Sequence, residues 1–340
     1  MIFQSDTTAP AHPALLQALT DANTGYAASY GADDMSARVE DRLKAIFGTD
    51  LRVLFTVSGT AANALALSVL CPAHGAILCH DEAHIHRDER GAPEFFTGGA
   101  KLIPLTGEHA RISLDALDRA LGEIPESFVH SSPVRALSLS NLTESGTAYT
   151  PSEVAERAAR VKDRGAFVHM DGARFANALV TLGCSPSELT WKAGVDALSF
   201  GATKNGALGA EAVILFPTVM DRFEDLQARQ KRAGHMASKM RFLAAQFDAW
   251  LREDLWLDLA RTANARARAL AEGLAELDGV DVLHPVKGNE VFARLPEALG
   301  GRLMAAGAGF YQWPDGSCRF VTSWCTEEAE VEALLAAAQD

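Results

Sequence analysis

Between residues 51 and 200, short apolar runs alternate with helical stretches, and several of the runs end on a residue able to do chemistry. Residues 51–57, 76–79, 101–105, 136–140, 166–170 and 195–200 have the length and apolar character of strands, and 34–47, 64–70, 113–121 and 151–165 have the apolar spacing of helices. Strands that alternate with helices over this length call for an α/β fold, a mostly parallel sheet covered on both faces. In such sheets ligands bind beyond the carboxyl ends of the strands. Three groups fall there: Ser58-Gly59-Thr60, Asp171 and Lys204.

Each group has a physical use. Ser58-Gly59-Thr60 lies between a strand and a helix, where unpaired backbone N–H groups and the positive end of the helix dipole suit a phosphate. Asp171 opens D-G-A-R at the end of a strand. Lys204 sits just past another strand, flanked by Thr203 and Asn205, with Gly201 and Gly206 freeing the backbone. An amine beside apolar residues sheds its proton more easily than one in water, and so is able to condense with an aldehyde. Together, a phosphate cradle, a carboxylate and an amine are the three anchors that pyridoxal phosphate requires for its phosphate, its ring nitrogen and its aldehyde.

Other features bound the function. The 340 residues are 48% hydrophobic and 22% charged, enough for one large core and a smaller domain. No apolar run is long and uncharged enough to span a bilayer, and residues 1–10 lack the pattern of a signal peptide, so a soluble, cytoplasmic protein is expected. A formal charge of −13 argues against nucleic acid and anionic membranes as partners. Five widely spaced cysteines in apolar settings read as reduced thiols. His80, His84 and His86 cluster with Asp81 and Glu82, but the spacing matches no zinc signature and the imidazoles cannot all point one way. No metal is expected, and one functional imidazole fits better.

The sequence resembles the low-specificity L-threonine aldolases of the β-eliminating lyase group. The resemblance runs through Ser5-Asp6-Thr7, Ser58-Gly59-Thr60-Ala61-Ala62-Asn63, Ala83-His84, Thr143-Glu144-Ser145-Gly146-Thr147, His169-Met170-Asp171-Gly172-Ala173-Arg174, Thr203-Lys204-Asn205-Gly206 and Arg319. It implies an aspartate-aminotransferase-like fold, with residues 1–14 at the active site, 15–250 forming a large cofactor domain with a sheet of seven strands, and 251–340 a small α/β domain. It implies pyridoxal 5′-phosphate held covalently by Lys204, with Asp171 on the ring nitrogen, Ser58, Gly59, Thr60 and Thr203 around the cofactor, and His84 stacked on the ring.

The same resemblance places Arg174 near the ring's phenolic oxygen and the substrate carboxylate, Ser5 and Arg319 on that carboxylate, and His130 by the substrate's β-hydroxyl. The expected reaction cleaves L-threonine, L-allo-threonine and related β-hydroxy-α-amino acids to glycine and an aldehyde. The base for the hydroxyl is left open among His84, His130 and an ordered water. The resemblance also implies a homotetramer, a dimer of dimers, in which Lys231 or Arg232 approaches the phosphate of a neighbouring subunit, although a solvated helix face explains those residues equally well. Another pyridoxal phosphate lyase of the same fold is the alternative. A metal hydrolase built on His80, His84 and His86, and a binding protein without chemistry, are the competitors from other classes.

Overall fold

The computed structural model describes residues 1–339. Seven strands, β1 (Arg52–Thr56), β2 (Ala76–His80), β3 (Lys101–Leu105), β4 (Val134–Ser140), β5 (Phe167–Gly172), β6 (Ala197–Gly201) and β7 (Glu211–Leu215), form one sheet in the order β1-β7-β6-β5-β4-β2-β3. β7 runs antiparallel to β1 and β6, and the other pairs are parallel. Alternate residues serve opposite faces: Leu137, Val168, Leu198 and Ile214 enter one core, and Ala136, Ala197, Val213 and Leu215 the other. This is the α/β architecture expected.

Local chemistry explains the element ends. Gly48 ends the helix Asp34–Phe47 in a left-handed turn, φ 63°. Thr150 and Glu153 close a capping box at the start of Pro151–Lys162. Ser58 caps Gly59–Leu70, which begins five residues before the apolar stretch that marked it in the sequence. The charged stretch 220–252, whose sequence reads as helical with an interruption at Gly234, forms two helices, Phe223–Arg232 and Arg241–Trp250, with Gly234 between them at φ 74°. The proline-rich start, which reads as loop, holds a helix at Pro13–Ala22.

A second, antiparallel sheet of β8 (Asp281–Val282), β9 (Glu290–Arg294), β10 (Tyr311–Gln312) and β11 (Ser317–Val321) has the order β10-β11-β9-β8. Its core includes Phe3, whose backbone bonds Gly309 O at 2.7 Å and Val321 N at 2.8 Å. That anchoring carries Ser5 and Asp6 toward the large sheet. Among the described residues, no helix is long and apolar enough to cross a membrane. The five cysteines are unpaired, and burial pushes Cys71 and Cys79 up to about 12, keeping both as thiols at neutral pH.

Candidate active site

The parallel strands deliver their carboxyl ends to one edge. A chamber of about 280 Å³ there is lined by Ser58, Gly59, Thr60, Asn63, His84, Asp171, Thr203, Lys204 and Glu211, among others. It adjoins an open chamber of about 1360 Å³ that reaches Ser5, Glu290 and Arg319. Thr7, His84, Glu144, Arg174 and Lys204 face both.

Asp171 ends β5. Its Oδ2 accepts from Asn63 Nδ2 at 2.7 Å and its Oδ1 from Ala173 N at 3.0 Å. Asn63 also donates to Glu89 Oε1 at 2.9 Å, and the same oxygen lies 2.8 Å from His84 Nδ1. The hydrogen bond to Glu89 raises the pKa of His84 against the opposing effect of burial. Beneath Asp171, His169 lies between Ser138 Oγ and Ser199 Oγ, each at 2.9 Å, and burial pushes its pKa down to about 4. It is therefore neutral at physiological pH and leaves the charge of Asp171 to whatever occupies the chamber.

Lys204 lies in the turn Thr203–Asn205 after β6. Asn205 Nδ2 bonds Trp256 O at 2.7 Å, Trp250 Nε1 bonds Asn205 O at 2.9 Å, and His12 N bonds Gly206 O at 2.8 Å. Gly206 has φ 99°, and a Cβ there would stand 2.9 Å from Leu259 Cδ1, so only glycine fits. The apolar setting expected for the amine is not what surrounds it: Asp6, Glu211 and Glu290 are all close enough to feel its charge. Burial pushes Glu211 up to about 7, against the hydrogen bond from Thr203 and the charge of Lys204.

Arg174 is held by two carboxylates. Its Nε and Nη2 donate to Asp6 at 2.7 and 3.1 Å, and Nη1 lies 3.1 Å from Glu290 Oε2. Burial raises the pKa of Asp6, but Arg174, Lys204 and the hydrogen bonds outweigh it and hold the carboxyl below its usual range. Arg319, on β11, is 3.9 Å from Glu290 Oε1, and its Nε is shielded from solvent without a partner. Ser5 Oγ shares a 2.8 Å hydrogen bond with Thr7 Oγ1. Arg319 and Ser5 thus line the outer chamber, while most of Arg174's donors are already used.

His130 is not brought in. It is exposed, in the loop before β4, with Phe128 as its aromatic neighbour. The end of β4 that reaches the chamber is Ser140, six residues on from Val134 and therefore roughly 20 Å away at a strand's rise of about 3.3 Å per residue. A position ahead of a parallel strand lies at the sheet edge opposite the ligand edge, which is the physical reason that His130 lines neither chamber of this chain. His80 turns its Nε2 to Gly107 O at 3.1 Å, and His86 is exposed, so the histidine cluster disperses.

Sequence reasoning assigned no role to Asn63, Glu89, Glu144, Glu211, Glu290 or Asp6, all of which the structure gathers at the site. Asn63, Glu144 and Asp6 stand inside motifs quoted above. For Glu211 and Glu290 the available signal was weaker, a carboxylate opening an apolar strand: E-A-V-I-L and E-V-F-A-R.

The residues fit a phosphorylated pyridine aldehyde. A capped helix start with open space at Gly59 faces the same chamber as Asp171 and Lys204, and Ser58 and Thr60 offer hydroxyls beside it. Fold and site therefore define a lysine-centred α/β enzyme of the pyridoxal phosphate type. The chain belongs to the beta-eliminating lyase family, whose sequence model matches residues 3–298. It is 43% identical over 334 residues to a low specificity L-threonine aldolase of Pseudomonas aeruginosa, covering 98% of this chain and 95% of the relative. It is 40% identical over 335 residues to one from another Pseudomonas, with 98% and 96% covered. A threonine aldolase structure from Leishmania major superposes with a TM-score of 0.92 at 26% identity, over 99% of this chain and 98% of the other. Serine palmitoyltransferase of Sphingomonas wittichii shares the fold, with a TM-score of 0.75 at 17% identity over 100% and 86% of the two chains.

Proposed function

We propose that the protein is a pyridoxal-phosphate-dependent aldolase that cleaves L-threonine, L-allo-threonine and related β-hydroxy-α-amino acids to glycine and an aldehyde. The observation that carries this is the placing of Asp171 and Lys204 at the carboxyl ends of neighbouring strands, in one chamber with the Ser58-Gly59-Thr60 turn, which opens onto Arg319. When bound, the cofactor supplies a sink for the electron pair released at Cα. Lys204 holds its aldehyde, Asp171 keeps its ring nitrogen protonated, Ser58, Gly59 and Thr60 receive its phosphate, and Thr203 and His84 border the ring. Arg319, with Ser5, holds the substrate carboxylate. Arg174, doubly ion-paired, braces the wall between the chambers and faces the ring and the carboxylate from there.

Residues 15–250 and 251–340 act in this proposal as cofactor and substrate-closing domains, with 1–14 reaching between them. Assembly as a cytoplasmic homotetramer belongs to the same proposal. It is supported by exposed apolar side chains beside the cradle, Val57 at 51% and Leu208 at 64% of full exposure. Lys231, whose Nζ lies 4.5 Å from the centroid of the Tyr30 ring, and Arg232 are both exposed and in this proposal serve a neighbouring subunit. Sedimentation at micromolar concentration is expected to give a species of four chains, and a monomer would remove that part.

The test of the reaction is direct. Purified protein with the cofactor is expected to be yellow and to release glycine and acetaldehyde from both threonine diastereomers. Keto acid and ammonia in place of glycine would select the alternative, a lyase acting by elimination. Activity without a chromophore, lost on chelation, would overturn the proposal in favour of a metal hydrolase.

A further inference from the structure

Cleavage of a β-hydroxy-α-amino acid needs a group to accept the hydroxyl proton, and of the two histidines considered for that task only His84 lines the chambers. His130 is at the opposite sheet edge. His84 has Nδ1 committed to Glu89, which raises its pKa and leaves Nε2 as its one open ring nitrogen, beside the cofactor ring. The structure places another group at the same spot.

Glu144 follows β4 in the T-E-S-G-T loop and faces both chambers. Its Oε1 accepts from Ser140 Oγ at 2.6 Å and from His84 N at 2.9 Å, which fixes the carboxyl plane. Its Oε2 is shielded from solvent and has no partner. A buried acceptor left open in this way is unfavourable unless something fills it. Asp171, Cys79 and Tyr149 are close enough to interact with the carboxyl's charge, while Arg174 and Lys204 share the chamber walls. We propose that Glu144 is the catalytic residue that takes the proton from the substrate's β-hydroxyl, an inference that rests on the aldolase reading above.

The step balances. Glu144 Oε2 accepts the hydroxyl proton, and the O–H electron pair becomes the second carbon–oxygen bond of the departing aldehyde. The Cα–Cβ bond breaks and its pair stays on the glycine fragment, for which the bound cofactor would supply an electron sink, and Cα then takes a proton from solvent water. The proton on Glu144 leaves through the open outer chamber. Only the ionised carboxylate can act as acceptor. Burial pushes Glu144 up to about 7, against the hydrogen bonds from Ser140 and His84, so the base is available above neutrality and is lost as pH falls through that value.

The test compares wild type and Glu144→Gln, each loaded with pyridoxal phosphate. Cleavage of L-threonine is expected to lose about 10²–10⁴ in kcat. Bound-cofactor absorbance and exchange of the glycine α-proton with deuterated water, which involve no β-hydroxyl, are expected to persist. The acid limb of the wild-type kcat/KM profile near pH 7 should vanish in Glu144→Gln and move to higher pH in Ser140→Ala, which loses a hydrogen bond that stabilises the carboxylate. Wild-type cleavage rates in Glu144→Gln would overturn the role. So would parallel loss of cofactor binding, glycine exchange and cleavage, which marks a scaffold residue, and so would an unmoved acid limb in Ser140→Ala. If wild type itself released no glycine from either diastereomer, the aldolase assignment would fall first and this role with it, an outcome distinct from the others.

Discussion

Lys204→Ala is expected to purify without visible cofactor absorbance and with threonine cleavage reduced on the order of 10⁴-fold or more, the scale seen when a covalently acting side chain is removed. Structure explains why the loss should be chemical and not a matter of folding. The turn that carries Lys204 is held by Asn205 against Trp256 and Trp250 and by Gly206 against His12, all contacts that the lysine side chain does not make. Thermal unfolding should therefore remain cooperative. Borohydride treatment of wild type, followed by mass spectrometry of the tryptic peptides, should place the reduced cofactor on the peptide containing Lys204. Retained cleavage by Lys204→Ala, or label on another lysine, would refute the assignment.

Arg174→Ala is expected to lose about 3–5 kcal/mol of stability, because it strands two buried carboxylates, Asp6 and Glu290. The loss has a definite pH dependence. In the wild type, the folded-state pKa of Asp6 is depressed, so its contribution is present above the unfolded value near 3.8 and fades as pH falls through the folded value. Without the guanidinium, burial dominates both carboxyls and their folded pKa values lie above the unfolded ones. The variant's stability should then fall as pH rises from about 4 toward those raised values. Urea denaturation at pH 5 and pH 8 should show the larger deficit at pH 8, and Asp6→Asn in the same background should recover part of it. A deficit under 1 kcal/mol, or one equal at both pH values, would mean that the carboxylates find other partners.

The two variants mark a division in what the sequence makes legible. Strand and helix alternation, the Ser58 cap, the capping box at Thr150 and the strand-end positions of Asp171 and Lys204 depend on neighbours within a few residues, and local chemistry states them openly. Asp6 meets Arg174 across 168 positions and Asn289 across 283, and no local pattern announces such a pairing. His130 shows the converse. Its residue type suits the chemistry, but its place ahead of β4 puts it away from the strand ends that line the chambers.

Glu211 illustrates the reason most clearly. In the sequence it opens an apolar strand and resembles a surface carboxylate. Because β7 runs antiparallel to β1 and β6, the first residue of β7 pairs with the last residues of its neighbours, Thr56 and Gly201, and so arrives at the ligand edge beside Lys204. Strand direction is a property of the whole sheet. By itself the sequence determined the α/β class, the order of its elements and the three anchors for a phosphorylated pyridine aldehyde, since each follows from apolar periodicity and turn chemistry over short spans. Only the tertiary structure decided which carboxylates surround the amine, which arginine keeps donors free for a substrate, and that Glu144 rather than His130 stands at the junction of the two chambers. Those outcomes depend on which strand ends and loops meet in space.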